Sequence, residues 1–394
     1  MRICISGAGV AGPCLAHWLL TSGHEVTLVE KSPHFRTGGY VIDFWGLGYT
    51  IAERMGVLRA VLDAGYKFRE VRFVGEDGRK ISGLKTELFH RMTNDRFVSL
   101  PRGDLAAAIY STIEEKAETV FGDMIAGIEE SPAAVKVAFE HGAERSFDLL
   151  VGADGLHSQV RKLCFGAEDA YEKDLGYRVA TFRAKGYRPR DELAYVTHAT
   201  PGRQIARVAL RNDETTFLFV FRSELMQAAE PRNLAEKKQA LRRVFAGSGW
   251  ESDRILDASD AADDIYFDCV SQIRMPRWSK GRIALVGDAS AAVSLLAGEG
   301  TGLGMTEAYV LAGELKRSGG DYAAAFAAYE GRLRKFIEGK QEAAEAFAAS
   351  FTPKTAFGVW FRNQATRAMR LPVIADWLVG KSVRDNFDLP DYGM

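Results

Sequence analysis

Three observations predict an α/β fold in which a doubly wound parallel sheet is interlaced with a second, β-rich domain. The chain opens as strand, glycine turn, helix and strand over residues 1–30. Two later segments, near 148–161 and 281–303, again read as a strand followed by glycines. Blocks with strand periodicity stand between them. Alternating strands and helices argue for a parallel sheet, and β-rich blocks inserted between them argue for two interlaced layers rather than two beads on a linker.

The first element is the apolar run Arg2 to Ser6, short enough for a buried strand. Gly7, Gly9 and Gly12 then fall on G-x-G-x-x-G. Ala11 to Ser22 carries a helical apolar face that Gly23 stops, and Glu25 to Glu30 is a second strand ending in a carboxylate. Each part has a mechanical role in a Rossmann-like unit. Gly7 makes the tight turn, Gly9 lets backbone approach a pyrophosphate, and Gly12 lets helix and strand pack closely. The helix N-terminus offers free N–H groups to phosphates, and Glu30 can accept from a ribose hydroxyl. This context predicts dinucleotide binding.

Further along, a helical stretch covers Gly48 to Ala64, and Glu76-Asp77-Gly78 signals a hairpin. Gly103 to Glu118 reads as a helix, and residues 119–151 as short strands. Residues 177–222 alternate strongly, with Phe217, Phe219 and Phe221 on one strand face. Leu234 to Ala246, Gly300 to Arg317 and Asp321 to Ser350 read as helices, and Gly281 to Val286 as a buried strand. The final forty residues place Pro353, Pro372 and Pro390 between short amphipathic helices. Ala356 to Lys381 mixes aromatics with Arg and Lys, and is read as helices packing across the two domains rather than lying on a membrane.

Composition narrows the function classes. The 394 residues suffice for two or more domains, and 47% hydrophobic with 26% charged content is ordinary for a globular protein. Lys plus Arg number 51 against 52 acids, so no overall field favours nucleic acid or an anionic membrane. Cys4, Cys14, Cys164 and Cys269 are scattered and form no C-x-x-C, which suits thiols in a reducing compartment. With no run of eighteen apolar residues and a strand from residue 2, the expectation is a cytoplasmic protein without a membrane span. No cluster has metal-ligand spacing.

The second motif runs Phe147-Asp148-Leu149-Leu150-Val151-Gly152-Ala153-Asp154-Gly155-Leu156-His157-Ser158 to Arg161. Its turn lies at a strand's carboxyl end, where open α/β sheets bind ligands. Read from spacing alone, Asp154 suits a ligand contact or a helix cap equally. The third motif is Gly281 to Ala289 followed by Leu296-Ala297-Gly298-Glu299-Gly300-Thr301-Gly302-Leu303. Asp288 can bond a sugar or ribityl hydroxyl. The glycine turn ahead of a helix offers N–H groups to a cofactor that becomes anionic on reduction.

These motifs, in this order, resemble the class A FAD-dependent monooxygenases of the para-hydroxybenzoate hydroxylase and tetracycline-modifying type, over about residues 1–345. Leu100-Pro101-Arg102-Gly103-Asp104-Leu105 matches the segment whose arginine contacts FAD, and Arg36 with Gly38-Gly39 and Tyr40 to Asp43 matches the stretch near ribose and isoalloxazine. Motifs and resemblance together nominate Gly7, Gly9, Ala11, Gly12, Glu30, Lys31, Arg36, Gly39, Arg102, Asp154, Asp288, Ala297, Gly298, Gly300, Thr301 and Gly302 for the cofactor. They imply an FAD domain over 1–70, 98–176 and 270–350, a substrate β-sheet over 71–97 and 177–269, and a C-terminal helical segment over 351–394.

The resemblance implies FAD, a transient NADH or NADPH, O₂ and oxygen transfer from a flavin C4a-hydroperoxide to a small aromatic or polyketide-like molecule, by a monomer or homodimer. Phe182, Phe217, Phe219 and Leu296 are the candidate substrate pocket, though Phe at period two also suits a sheet core. Arg207, Arg211 and Arg222 could orient an acidic or phenolic group, and His157 and His198 could act in proton transfer. Where the family commonly reads GDAAH followed by Pro-Pro, this chain has Ala291, Ser294 and Leu295, and Gly302 replaces a frequent Asn. That departure keeps open a flavin oxidoreductase that inserts no oxygen, or a flavin-binding protein without catalysis.

Overall fold

The structure, a computed structural model, describes residues 1–35, 39–369 and 385–394. The opening unit is β1 (Arg2–Ser6), α1 (Ala11–Thr21) and β2 (Glu25–Glu30), followed by β3 (Val41–Trp45). Gly56, with φ +75°, splits the expected helix after β3 into α2 (Gly46–Arg54) and α3 (Leu58–Ala64). The Gly75 N–H donates to the Arg79 carbonyl at 2.9 Å, closing a hairpin of β4 (Glu70–Val74) and β5 (Lys80–Lys85) at the Glu76-Asp77-Gly78 signal. After α4 (Glu87–Met92) and β6 (Phe97–Pro101), α5 (Arg102–Tyr110) ends eight residues before the expected limit. Residues beyond Tyr110 close successive turns instead.

Short strands follow: β7 (Glu118–Phe121), β8 (Ile125–Glu130), β9 (Val135–Phe139), β10 (Arg145–Phe147) and β11 (Leu149–Gly152), then α6 (Gln159–Cys164). The alternating block folds as β12 (Glu172–Lys185), β13 (Ala194–Thr200), β14 (Arg203–Ala209) and β15 (Glu214–Arg222). Next come α7 (Leu234–Phe245), α8 (Ser252–Asp260), β16 (Tyr266–Ile273), β17 (Ser279–Lys280), β18 (Ile283–Leu285) and α9 (Asp288–Ala291). The chain then forms α10 (Gly300–Arg317), α11 (Tyr322–Phe351) and α12 (Ala356–Ala368). Residues 385–394 form no helix, contrary to the expectation for the C-terminal segment. Their backbone carbonyls at Pro390, Tyr392 and Gly393 accept from side chains instead. Arg36, Gly38, and the 370–381 part of the Arg- and Lys-rich stretch with Pro372 lie outside the described residues.

Two sheets set the site. The first has the order β17-β18-β11-β1-β2-β7, with all neighbours parallel except β17. Chain order reverses at β1, which lies between β2 and β11, so a crevice opens at the carboxyl ends of β1 and β11. The second sheet has the order β16-β12-β15-β14-β13-β4-β5, entered at β4–β5 and again at β12–β16. Its two faces differ. On the back, Phe182, Phe217, Phe219 and Phe221 pack against Leu241, Phe245, Ile255 and Leu256 of α7 and α8. On the front, Val179 and Val220 meet Leu296, and Val208 and Tyr195 meet Val41. The front faces the crevice. Among the described residues no helix is long and apolar enough to cross a membrane.

Candidate functional site

The first glycine turn has the geometry its spacing implies. Gly7 holds φ +105° and donates to the Val29 carbonyl at 2.7 Å. A Cβ there would come 2.5 Å from the Ala153 carbonyl oxygen, so the second motif packs directly on this turn. A Cβ on Gly12 would come 2.0 Å from the Gly7 oxygen. Gly9 faces Arg102, whose Nη2 would lie 3.5 Å from a Cβ there. Glu30 accepts from the Ala8 and Ser32 N–H groups at 2.9 Å each, fixing the turn while leaving lone pairs for a hydroxyl. Lys31 is exposed just beyond it.

The third motif closes the opposite wall. Gly287, with φ +65°, turns the chain into α9, and a Cβ there would come 3.1 Å from Ala11 Cβ. Asp288 therefore lies across the crevice from the first turn. Its side chain is open to solvent and makes no hydrogen bond among the described residues; the protein crowded around it raises its carboxyl and Arg102 lowers it. Gly298 (φ +70°) follows the turn Leu295–Ala297, and Gly300, Thr301 and Gly302 form the first turn of α10. Glu299 precedes that helix without capping it through its side chain, so the first N–H groups of α10 are left for another acceptor. Gly302 is pressed on Gly48, where a Cβ would come 2.7 Å from the Gly302 Cα. At the departure from the family pattern, Ser294 adopts φ +147°, a conformation that costs a non-glycine residue about 1–3 kcal/mol.

Arg102 joins the two walls. Its N–H donates to the Tyr40 carbonyl at 3.0 Å, and its charge acts on both Tyr40 and Asp288. Gly39 (φ +100°) lies beside it, and the Gly39 carbonyl accepts from Arg183 of β12 at 3.0 Å. An Asp288 carboxylate, an Arg102 guanidinium, backbone donors and glycines without Cβ fit a flavin dinucleotide: cation and N–H groups for phosphates, acceptors for hydroxyls.

Three expectations are corrected. Asp154 is turned into the protein: it accepts from Ser158 Oγ and from the Gln159 and Val160 N–H groups at 2.9 and 3.1 Å, capping α6, so its geometry is that of a cap. Phe182, Phe217 and Phe219 form the back-face core, with Phe182 and Phe217 stacked at 4.8 Å, and pack against α7 and α8. Alternation places these rings on one face, and that packing makes it the back face. Of the candidate arginines, Arg207 is buried in ion pairs with Asp191 and Glu251, Arg211 donates to the Ala64 and Gly65 carbonyls, and Arg222 donates to Tyr177 Oη. Leu296 does reach the front face.

The front-face register puts Thr181, Leu218, Ala206 and Thr197 in one row. This row lies between the Val179/Val220 row at Leu296 and the Thr216/Val208 row near Val41. Over it, α12 lays Arg362 on the Phe73 ring at 4.8 Å and donates to Gln204 Oε1 at 2.9 Å. Sequence reading missed two groups here, Tyr266 and Asp268, and placed Asp43 only within the Tyr40 to Asp43 stretch. Asp43, held by Ser99, faces the cleft, and burial raises its carboxyl. Tyr266 stands 6.4 Å from Tyr40 and donates to Asp268 at 2.9 Å. Asp268 lies 3.1 Å from His157 Nε2, whose Nδ1 is 2.8 Å from Glu168. Those bonds, Asp268 first, raise His157 to about 9. His198 instead sits between the Val74 and Ser248 carbonyls, away from the cleft. An alternating strand gives Asp43 a cleft-facing parity with Val41 and Trp45, but only tertiary packing tells which parity faces the cleft.

Comparison with known proteins gives the family and the fold. Residues 1–323 match the family described as FAD binding domain. A protein of Mycobacterium tuberculosis described as uncharacterized is 37% identical over 350 residues, covering 86% of this chain and 91% of its own. A flavin-dependent monooxygenase of Legionella longbeachae is 32% identical over 396 residues, covering 100% of this chain and 98% of its own. The crystal structure of tetracycline destructase Tet(55) superposes with a TM-score of 0.85 at 31% identity, over 99% of this chain and 98% of that one.

Proposed function

This chain belongs to the FAD-binding flavin-dependent monooxygenases, and from that premise we propose that it oxygenates a multi-ring phenolic or polyketide-like molecule bound against the front face of the seven-stranded sheet. The enzyme is an FAD-dependent monooxygenase, and FAD is its cofactor. The bound cofactor supplies hydride acceptance and oxygen activation. The chain supplies binding, orientation and exclusion of water.

We assign the pyrophosphate to the turn at Gly7, Gly9 and Gly12 with Arg102, the ribose hydroxyls to Glu30, and the ribityl hydroxyls to Asp288. The α10 N-terminus at Gly300 to Gly302 then receives the pole that gains negative charge on reduction. Asp43 adds an acceptor to the same end of the cleft.

The observation that carries the substrate reading is the composition of the front face. A row of Thr181, Leu218, Ala206 and Thr197, bordered by Leu296, Val220 and Val41, is apolar with neutral hydroxyls at intervals. Such a wall accepts flat rings that carry several hydroxyls, the chemistry of the tetracyclines named for Tet(55). Gln204 and Arg362 add polar contacts at its edge. We take NADH or NADPH as the electron source, arriving without a domain of its own, and a cytoplasmic setting.

The deciding experiment supplies the FAD-loaded enzyme with NADPH or NADH, ¹⁸O₂ and a panel of tetracyclines and simpler phenols. Product carrying one ¹⁸O, with oxidation of the nicotinamide stimulated by that compound, is the expected result. A product without label at full turnover would replace oxygen insertion by dehydrogenation; labelling only of single-ring phenols would replace the multi-ring substrate.

A further inference from the structure

An ion triad lies behind the glycine loop and includes the end of the chain. Lys340 of α11 places Nζ 3.0 Å from Glu299 Oε1 and 2.8 Å from Asp385 Oδ1, and the three side chains are only 10%, 13% and 15% exposed. Glu299 is the residue between Gly298 and the first turn of α10. Asp385 begins the ten C-terminal residues. Its other oxygen accepts from the Leu47 N–H at 2.8 Å, at the start of α2, whose Gly48 packs on Gly302. Gly46 accommodates this approach: its φ is +66°, and a Cβ there would come 2.2 Å from Asp385 Oδ2. A cavity of about 20 Å³ lined by Asp43, Trp45, Gly298, Gly302, Glu299 and Asp385 lies between the strap and the loop.

The rest of the strap is fastened to the same helices. The Pro390 carbonyl accepts from Tyr309 Oη of α10 at 2.9 Å and from Arg54 of α2 at 3.1 Å. The Tyr392 ring fills the space beside Gly313, where a Cβ would come within 2.2 Å, and its hydroxyl donates to Glu314 at 2.6 Å. Lys316 donates to the Gly393 carbonyl at 2.7 Å. Taking three charges out of water is costly and is offset only where their partners are closely placed, so a triad of this kind specifies one arrangement of the segments that carry it. Removing the ammonium leaves two facing carboxylates with little water between them.

We propose that the C-terminal strap is part of the cofactor site: Asp385, acting through Lys340 and Glu299 and through Leu47, sets the glycine loop, so that FAD binds more tightly when residues 385–394 are in place. This rests on the reading that the loop at Gly298 to Gly302 receives the flavin. Lys340 and Asp385 are positioning residues that need not touch it.

The test uses full-length Lys340→Met, Asp385→Asn and the conservative Lys340→Arg. Two measurements are made: FAD affinity by flavin fluorescence, and hydrogen exchange of the protein without FAD. Lys340→Met and Asp385→Asn are expected to weaken FAD binding by about tenfold or more, on the order of one lost charge-assisted contact. Peptides over 296–303 should exchange faster while those over 25–30 stay unchanged, and Lys340→Arg should restore both. FAD affinity and loop exchange near wild type in both variants would overturn the proposal, as would faster exchange spread evenly over the molecule. Should Lys340→Met fail to fold, Asp385→Asn, which keeps an acceptor for Leu47, decides. Wild-type protein that takes up no FAD would instead sink the assignment of the loop, while loop exchange without FAD still reports whether the strap sets it.

Discussion

Asp288 and Glu30 show what a single side chain contributes here. Asp288 stands free in the cleft, while Glu30 also holds Ala8 and Ser32, so the two carboxylates have different losses on truncation. Asp288→Ala should weaken FAD binding by roughly 1.5–3 kcal/mol with little change in melting temperature. Glu30→Ala should weaken binding and also loosen the turn, lowering both; fluorescence titration beside thermal unfolding separates them. His157 carries a pH dependence of definite sign. Asp268 and Glu168 raise it from 6.5 to about 9, so the stability it contributes is fully present below about pH 6.5 and is lost as pH rises through 9. With half the ring exposed, solvent screening keeps the effect modest. The melting temperature of wild type should fall more than that of His157→Gln across this interval, and parallel curves would refute the assignment.

At the scale of elements, strand parity separates stability from specificity. Phe219 belongs to the back face with α7 and α8, and Phe219→Ala should cost about 3–5 kcal/mol of stability while leaving the substrate KM of the surviving folded enzyme unchanged. Thr197→Val and Leu218→Ala, on the front row, should move KM or the site of oxygenation with a smaller change in stability. The reverse pattern would exchange the two faces. Both faces of this sheet are covered, so both parities of β15 are largely buried, and alternation in Thr215 to Arg222 could not show which set meets a helix layer and which meets the cleft. The helices of the third motif were more legible. Gly300–Arg317 agrees with its sequence limits because glycines precede it and Gly319-Gly320 follow it.

For the whole molecule, the cleft is formed by chain segments far apart in sequence: β1 and β11, α10, β3 and the front of the second sheet. A ligand that fills such a cleft stabilises all of them together. FAD at a hundredfold excess over its Kd should stabilise the fold by about 2.7 kcal/mol, seen as a concentration-dependent rise in melting temperature. A melting temperature independent of FAD would mean the cofactor binds equally well to unfolded chain, or not in this cleft.

That the chain binds FAD was legible in its residues. Gly7, Gly9 and Gly12 shape their turn through local backbone geometry, and a glycine where a Cβ would lie 2.0 Å from a carbonyl is legible wherever its turn is legible. Tertiary structure alone decided the rest. It turned Asp154 into a helix cap, placed the phenylalanines behind the sheet, set Tyr266 beside Tyr40, and seated Asp385 behind the glycine loop. Those outcomes depend on which surface packs against which across hundreds of residues, and periodicity within one element fixes the spacing of a face but not its direction.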